Sequence, residues 1–213
     1  MKYTENTRKV ENAITWKMSG KMLGMASLST SAKGNKICQN RAKHKDTICA
    51  HCYAMALLEY RKNLETKTER NADFLGDAII PTEEMPFLNA SIFRIEAYGD
   101  LRNEIQAENY LNLIEANPHV QFGWWTKNPW LIARVLKHRT KPENVQIVYS
   151  SPYIGKTWDM RKLYPFIDKV FTVYTKEYAK AHAEEINCGA RSCMACQRCY
   201  HANSETFINE ILK

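Results

Sequence analysis

The amino-acid sequence predicts an α/β protein with a mainly parallel sheet. From residue 91 onward, short and nearly all apolar segments alternate with amphipathic ones. This order is typical of buried parallel strands joined by crossover helices. Seven cysteines lie in two groups on either side of this alternating region. Their placement predicts two separate cysteine-rich segments, one before and one after the part of the chain that forms the sheet.

The predicted elements follow in chain order. Up to about Lys36 the chain is rich in small and polar residues, which predicts loops around a short strand. The segment after Cys52, YAMALLEYRKNLETKTERNADFLGDAI, has apolar residues at helical spacing and predicts one long helix. Strands and helices then alternate. The predicted strands are SIFRIEAYGD, VQFGWW, VQIVYSS and KVFTVY. The predicted helices are AENYLNLIEAN, PWLIARVLKH and EYAKAHAEEI. The segment TWDMRKLYPFI, before the last predicted strand, has a less regular pattern.

The bulk composition predicts one globular domain. The chain has 213 residues, of which 45% are hydrophobic and 25% charged, values that are ordinary for a folded protein. We divide the domain into residues 1–53, with N-terminal loops and three cysteines, residues 54–186, the α/β part, and residues 187–213, with four cysteines and a terminal helix. No run approaches the roughly 20 apolar residues of a membrane span, and the N-terminus lacks the apolar stretch of a secretory signal. We therefore expect a cytoplasmic protein without a membrane partner.

The net charge of +7 is compatible with a nucleic-acid partner. However, the 30 lysines and arginines are scattered along the chain, and a lysine-rich surface explains them equally well. Four tryptophans, Trp124, Trp125, Trp130 and Trp158, offer rings that can stack on a base, although their spacing is also typical of core residues. Nucleic acid therefore stays open as a partner.

Polar residues follow the predicted strands where ligands of parallel sheets collect, at the carboxyl ends. Hydroxyl residues at these positions can also cap the next helix, and Gly99 with Asp100 can simply form a turn. A lysine at a helix start is most often solvated. Arg94, within a predicted strand, has no partner that the sequence identifies. The candidate residues at this edge are Glu96, Tyr98, Asp100, Thr126, Lys127, Ser150, Ser151, Thr175 and Lys176.

The cysteines form a trio and a quartet with none left over. The trio is Cys38, Cys49 and Cys52; the quartet is Cys188, Cys193, Cys196 and Cys199. Two residues between thiolates let both sulfurs face one metal centre, as in zinc sites and iron–sulfur clusters. The overlapping CxxC steps of the quartet favour iron–sulfur ligation, with structural zinc as the alternative. An isolated redox-active CxxC pair does not fit this pattern.

The trio has two interpretations as well. Three thiolates leave one iron of a four-iron cluster without a protein ligand, so that it can bind a small molecule. Alternatively, the trio holds zinc, and His44 or His51 supplies the fourth ligand.

Two family resemblances rest on these residues. The CxxC motif, the long helix after it and the α/β region resemble the radical S-adenosylmethionine enzymes. More closely, ICQNRAKHKDTICAHCYA, FRIEAYGD, FGWWTKN and CGARSCMACQRCY resemble the phage gene product 88 family, over about residues 20–200. The radical enzymes usually place three residues between the first two cysteines, whereas this chain has ten.

The resemblance to the radical enzymes implies a partial, open TIM-like barrel and one or two [4Fe-4S] clusters. It implies S-adenosylmethionine as cofactor, an electron-donor protein as partner, and the cytoplasm of the phage host as location. EAYGD stands where those enzymes receive the amino group of the cofactor, which makes Glu96 or Asp100 its acceptor. Lys127 and Lys176 are candidates for binding a carboxylate or phosphate.

The residues leave the substrate and the catalytic residues unidentified. The competing hypothesis is a zinc- or cluster-stabilised module that binds nucleic acid or a host protein without catalysis.

Overall fold

A computed structural model describes residues 3–212 of the chain, so Met1, Lys2 and Lys213, at the ends of the predicted domain, lie outside the described residues. Six strands form one sheet in which each strand pairs in parallel with the next along the chain. The sheet is open, with the first and last strands at its edges. This arrangement confirms the prediction of an α/β fold with a parallel sheet. The strands are β1 (Ala26–Leu28), β2 (Ile92–Ile95), β3 (Gln121–Thr126), β4 (Val145–Ser150), β5 (Lys169–Tyr174) and β6 (Phe207–Ile211).

Eight α-helices accompany the sheet in the described part of the chain. Short 3₁₀ helices at Gly20–Met22, Ile48–His51, Thr82–Glu84 and Ala183–Glu185 connect some of them. No helix in residues 3–212 is long and apolar enough to cross a membrane. The α-helices are α1 (Glu5–Ala13), α2 (Lys36–Ala42), α3 (Tyr53–Tyr60), α4 (Lys62–Asp77), α5 (Glu104–Glu115), α6 (Pro129–Val135), α7 (Lys176–Ala181) and α8 (Cys193–Cys196).

The two faces of the sheet carry different cores because side chains alternate along each strand. Phe93, Phe122 and Trp124 point to the face that is covered by α1, α4, α5 and α6. Ile92 and Trp125 pack on the opposite face with Tyr200 and the cysteine segment around it. The quartet region thus covers the second face of the sheet, which explains why the central strands are largely buried on both faces.

Several predicted elements are wrong in detail. The predicted terminal helix is the strand β6, since its backbone completes the free edge of β5. The predicted long helix is broken at Arg61, whose backbone (φ −107°, ψ 76°) leaves the helical region. The N-terminal stretch contains β1 as predicted but also α1, which begins at a capping box formed by Thr4 and Thr7.

Helix capping by hydroxyl residues holds at only one of the three predicted strand ends. Thr175 caps α7 by accepting a hydrogen bond from the Tyr178 backbone N–H. Thr126 instead donates its hydroxyl to Asp100, and no helix directly follows Ser150. The helix α7 ends at Ala181, earlier than its pattern predicts, and a 3₁₀ turn continues it.

Candidate metal centres

The cysteine trio lies above the carboxyl ends of the central strands. Cys38 is in the first turn of α2, and Cys49 is in the 3₁₀ helix that leads to Cys52. Asn35 caps α2 through Ile37 N–H. Its amide group donates to the carbonyl oxygens of Asp100 and Leu101, at 2.8 and 3.2 Å. These bonds hold Cys38 over the loop that follows β2.

A second attachment holds Cys49 near the loop that follows β4. Ile48 donates its backbone N–H to the Pro152 carbonyl at 2.8 Å, and Thr47 forms an antiparallel bridge with Tyr153. The 3₁₀ helix is therefore joined to a loop that lies about 100 residues further along the chain. The trio is placed by tertiary contacts rather than by the CxxC turn alone.

The three thiols of the trio lie close enough to affect one another. Cys38 interacts electrostatically with Cys49, and Cys49 with Cys52. Burial raises the pKa of Cys38 well above its ordinary value, and Asp100 raises it further. Burial also raises the pKa of Cys49, although Lys127 and Arg41 oppose this effect. The free thiols of Cys38 and Cys49 are therefore protonated at neutral pH, and a bound metal must displace their protons.

Two cations, Arg41 and Lys127, stand beside the trio. Arg41 donates from Nη2 to the Lys127 carbonyl at 2.8 Å, and its Nη1 lies 3.8 Å from Asp100 Oδ2. Lys127 donates from Nζ to Ser150 Oγ at 2.9 Å. Both cations act on the pKa of Cys38 and Cys49. They favour an anionic centre at this position.

The structure brings together most of the residues that the sequence predicts for the carboxyl edge. Asp100 Oδ1 accepts from the Thr126 hydroxyl at 2.7 Å, and Oδ2 accepts from the Lys127 N–H at 2.8 Å. Lys127 continues the chain of contacts to Ser150. Tyr98 packs in the cluster that also contains Cys38. Ser151, next to Ser150, donates its hydroxyl to the Lys156 carbonyl and so shapes the loop after β4.

Three predicted residues lie apart from this group: Glu96, Lys176 and Thr175, the cap of α7. The carboxylate of Glu96 is 2% exposed and accepts hydrogen bonds from Thr30, Gln106 and Tyr110, so its oxygens are used within the interior. Burial raises the pKa of Glu96 despite these donors. Lys176 is exposed in the first turn of α7. The structure thus singles out Asp100, rather than Glu96, as the carboxylate beside the cysteines.

The quartet lies on the face of the sheet that carries Ile92 and Trp125. Cys188 is tied to β6 because its N–H donates to the Asn209 carbonyl at 3.0 Å. Cys193 and Cys199 pack beside Trp125 and Tyr200. Cys199 interacts electrostatically with the other three cysteines. Burial raises its pKa to about 12, and Arg94 partly opposes that shift.

Two cations also face the quartet. Lys21 donates from Nζ to the Cys188 carbonyl at 3.3 Å, lies 3.5 Å from Cys188 Sγ, and pairs with Glu210 at 2.8 Å. Arg94, whose partner the sequence left unidentified, stacks its guanidinium 3.2 Å from the centroid of the Trp125 ring. It also lowers the pKa of Cys193 and Cys199. The charge pattern of the trio is therefore repeated at the quartet.

The spacing of the sulfurs distinguishes one kind of metal site from another. Tetrahedral zinc with bonds of about 2.3 Å places its sulfurs about 3.8 Å apart. Within residues 3–212, one set of three His, Cys, Asp or Glu ligand atoms lies within 4.8 Å, and it consists of His182, Glu184 and Glu185. No three cysteine sulfurs of the described chain have the spacing of a single zinc ion.

The histidines proposed as zinc ligands are exposed. His44 and His51 both lie on the surface, and neither belongs to a group of metal-ligand atoms at zinc spacing among residues 3–212. His44 instead lines a cavity beside the trio. The donor chemistry, seven thiols with two cations beside each group, fits thiolate-bound clusters.

The cavity beside the trio has a volume of about 360 Å³. It lies between the C-terminal end of α2, which carries Arg41, and the loop that follows β4, and it is partly open to solvent. Sequence reasoning missed it because its walls come from segments about 100 residues apart. Its lining residues include Arg41, His44, Asp46, Lys127, Trp130, Tyr149, Tyr153 and Trp158.

The fold and these sites define an α/β protein with an open parallel sheet and two cysteine-rich candidate metal centres. A family model described as Gene product 88 matches residues 1–206. The chain therefore belongs to the gene product 88 family, which confirms that resemblance and the prediction of a phage-type protein. The resemblance to radical S-adenosylmethionine enzymes receives no support from this match. Comparisons with curated proteins and with solved structures found no match.

Proposed function

We propose that the protein is an iron–sulfur enzyme with a reactive centre at the trio and an auxiliary centre at the quartet. The observation that carries this proposal is the arrangement of the trio. Its three thiols lie together above the carboxyl ends of the strands, with two cations and a cavity beside them. Active sites of parallel α/β folds are found at this edge.

The sequential strand order supports the analogy with a partial, open TIM-like barrel. Each strand neighbours the one that precedes it in the chain, as in the (β/α) barrels. The quartet segment fills the second face of the sheet, where a closed barrel has its interior. The outer helices and the inner cysteine segment together give the sheet two buried faces.

A four-iron cluster on Cys38, Cys49 and Cys52 would supply an iron with a vacant position and an electron for reductive cleavage of S-adenosylmethionine. The chain's own residues would prepare the site for it. Arg41 and Lys127 would balance the negative charge of the thiolates. The Asp100 carboxylate accepts a hydrogen bond from the Lys127 backbone N–H and so holds Lys127 in place. Of the two predicted acceptors for an ammonium group, Asp100 is the one beside the trio.

The quartet would hold a fully ligated cluster, since four thiolates close its coordination. Lys21 and Arg94 would balance its charge. Tyr53 connects the two regions, because it follows Cys52 directly, donates its hydroxyl to the Ala97 carbonyl and interacts electrostatically with Arg94. The quartet would relay electrons or hold substrate.

The test is anaerobic purification followed by counting of iron, sulfide and zinc. We expect about eight irons per chain, because each cubane holds four. Substitution of all three trio cysteines by serine should leave about four irons, and the same change in the quartet should also leave about four. Stoichiometric zinc without sulfide would refute the proposal.

Spectroscopy separates the roles of the two centres. The electron paramagnetic resonance spectrum of the reduced protein should change on addition of S-adenosylmethionine. The change should persist in the quartet variant and disappear in the trio variant, because only the trio leaves an iron accessible. A spectrum that is insensitive to S-adenosylmethionine in a protein with two clusters would remove the radical-enzyme part of the proposal.

A further inference from the structure

The cavity beside the trio combines aromatic walls with a cationic rim. Tyr153 and Trp158, from the loop after β4, have ring centroids 5.7 Å apart at 34°. Trp130, from α6, contributes another ring to the lining. Its ring lies 5.4 Å from the Arg41 guanidinium. A flat ligand can therefore contact rings from two separate segments of the chain.

The tryptophan rings of this cavity are more exposed than the other tryptophans that the sequence suggests for base stacking. Trp124 is fully buried and Trp125 is 9% exposed, so both belong to the core. Trp158 is 45% exposed although it lines a cavity. An exposed indole on a cavity wall has apolar surface available for a ligand. The base-stacking role considered for four tryptophans is thus restricted to Trp130 and Trp158.

Positive charge collects at the same cavity. The cations Arg41 and Lys127 line it, and one carboxylate, that of Asp46, lies in the same lining. The buried Nη1 of Arg41 makes no hydrogen bond within the described residues, since its ion-pair partner, Asp100 Oδ2, lies 3.8 Å away. Lys127 Nζ donates to a neutral hydroxyl, that of Ser150. Both cations therefore keep donor capacity for an anionic ligand.

Further cations surround the opening. Lys45 is exposed next to His44, and Lys156 Nζ lies 5.7 Å from the centroid of the Tyr153 ring. Arginine and lysine beside aromatic rings are the combination with which proteins bind nucleotides, the rings stacking on the base and the cations contacting the phosphate. The volume of about 360 Å³ lies near the lower end of the range for small-molecule pockets, so it suits one nucleotide rather than a dinucleotide.

We propose that this cavity binds a nucleotide, with its base against Trp130, Tyr153 and Trp158 and its phosphate at the cations of the rim. The binding itself does not require a metal. That this nucleotide is the substrate of the trio centre rests on the function proposed above. A free nucleoside monophosphate and a nucleotide within single-stranded nucleic acid share this chemistry.

Calorimetric titration of the anaerobically purified protein tests the proposal. The probes are the four ribonucleoside 5′-monophosphates, the matching nucleosides, inorganic phosphate, a ten-residue single-stranded oligonucleotide and S-adenosylmethionine. We expect at least one monophosphate or the oligonucleotide to bind more tightly than the nucleoside or inorganic phosphate alone. Tighter binding by the oligonucleotide would identify nucleic acid as the source, and equal binding would identify the free nucleotide.

Trp158→Ala should weaken this binding at least fivefold, since a stacked base contributes about 1–3 kcal/mol. Trp16→Ala is the matched control, because Trp16 is 43% exposed and does not line the cavity. Circular dichroism checks that both variants fold. Absence of nucleotide binding, equal binding by the Trp158 variant, or binding by S-adenosylmethionine alone would overturn the proposal.

The metal count on the same sample separates the two proposals. Nucleotide binding by a protein that contains zinc and no sulfide would refute the iron–sulfur function and support the nucleotide site. Two clusters in a protein that binds no nucleotide would refute the nucleotide site alone.

Discussion

Replacement of Gly123 by alanine should loosen the quartet centre from the sheet. Gly123 lies in β3 on the face that Tyr200 covers. A Cβ at this position would lie 2.7 Å from Trp125 Cζ3 and 2.7 Å from Tyr200 Cε1. Because carbon atoms pack best at about 3.5–4.0 Å, the two rings must retreat by roughly 1 Å. Tyr200 follows Cys199 directly, so its movement is transmitted to the quartet.

The expected loss of stability combines two opposing terms. Overpacking in a core costs about 1–3 kcal/mol. Replacing glycine by alanine recovers about 0.4–1 kcal/mol by restricting the unfolded chain. The free energy of unfolding should therefore fall by about 1–2 kcal/mol, which is a large fraction of the total stability of a typical domain.

The assay is urea unfolding together with an iron count on the same preparation. With a slope of about 2 kcal/mol per molar urea, the midpoint should move down by roughly 0.5–1 M. If the quartet holds the proposed cluster, its iron should also be lost more easily during gel filtration. Gly189→Ala is the matched control, because Gly189 lies in the quartet segment and its added Cβ would meet nothing within 4 Å. An unchanged midpoint and iron content in the Gly123 variant would refute the packing argument.

Three further changes test other contacts. Glu96→Gln should reduce the pH dependence of the unfolding free energy, because burial raises the Glu96 pKa above 4.5 in the folded state. The folded wild type therefore binds an extra proton, and its unfolding free energy falls as pH rises above about 4.5. Parallel curves of unfolding free energy against pH for the two proteins would contradict this. Asp100→Asn should lower the unfolding free energy by about 1.5–3 kcal/mol through its charged hydrogen bonds, against little change for the exposed Asp73→Asn. Asn35→Ala should lower the free energy of unfolding by about 1–2 kcal/mol through the lost cap of α2. If the trio holds the proposed cluster, the iron count per chain should also fall. Retention of full iron and stability would show that the cap does not position the trio.

Local pattern was sufficient for the main features of the fold. The apolar segments that became β2, β3, β4 and β5 are short and need two covered faces. Amphipathic helices separate β2, β3 and β4, and another follows β5. The parallel sheet follows from that order. The positions of Asp100, Thr126 and Lys127 at one edge follow as well, because the carboxyl ends of parallel strands meet there. Thr175 behaves as the predicted helix cap because capping depends on neighbouring residues only.

Other features depend on contacts between distant segments. The stretch that forms β6 takes its strand conformation from pairing with the free edge of β5. The break at Arg61 interrupts an otherwise helical pattern. The sequence placed Glu96 and Asp100 on equal terms, but the donors from Thr30, Gln106 and Tyr110 use the Glu96 carboxylate in the interior.

The sequence by itself determined the α/β class, the division of the cysteines into three and four, and the edge of the sheet where polar residues collect. These properties follow from the order and spacing of residues along the chain. The tertiary structure alone decided that Arg94 and Lys21 face the quartet, that Arg41 and Lys127 face the trio, and that a cavity lies beside the trio. Arg41 is near the trio in sequence, but its contact with Lys127, the contact of Lys21 with Cys188 and the walls of the cavity join segments that are far apart in the chain. No local periodicity encodes such contacts.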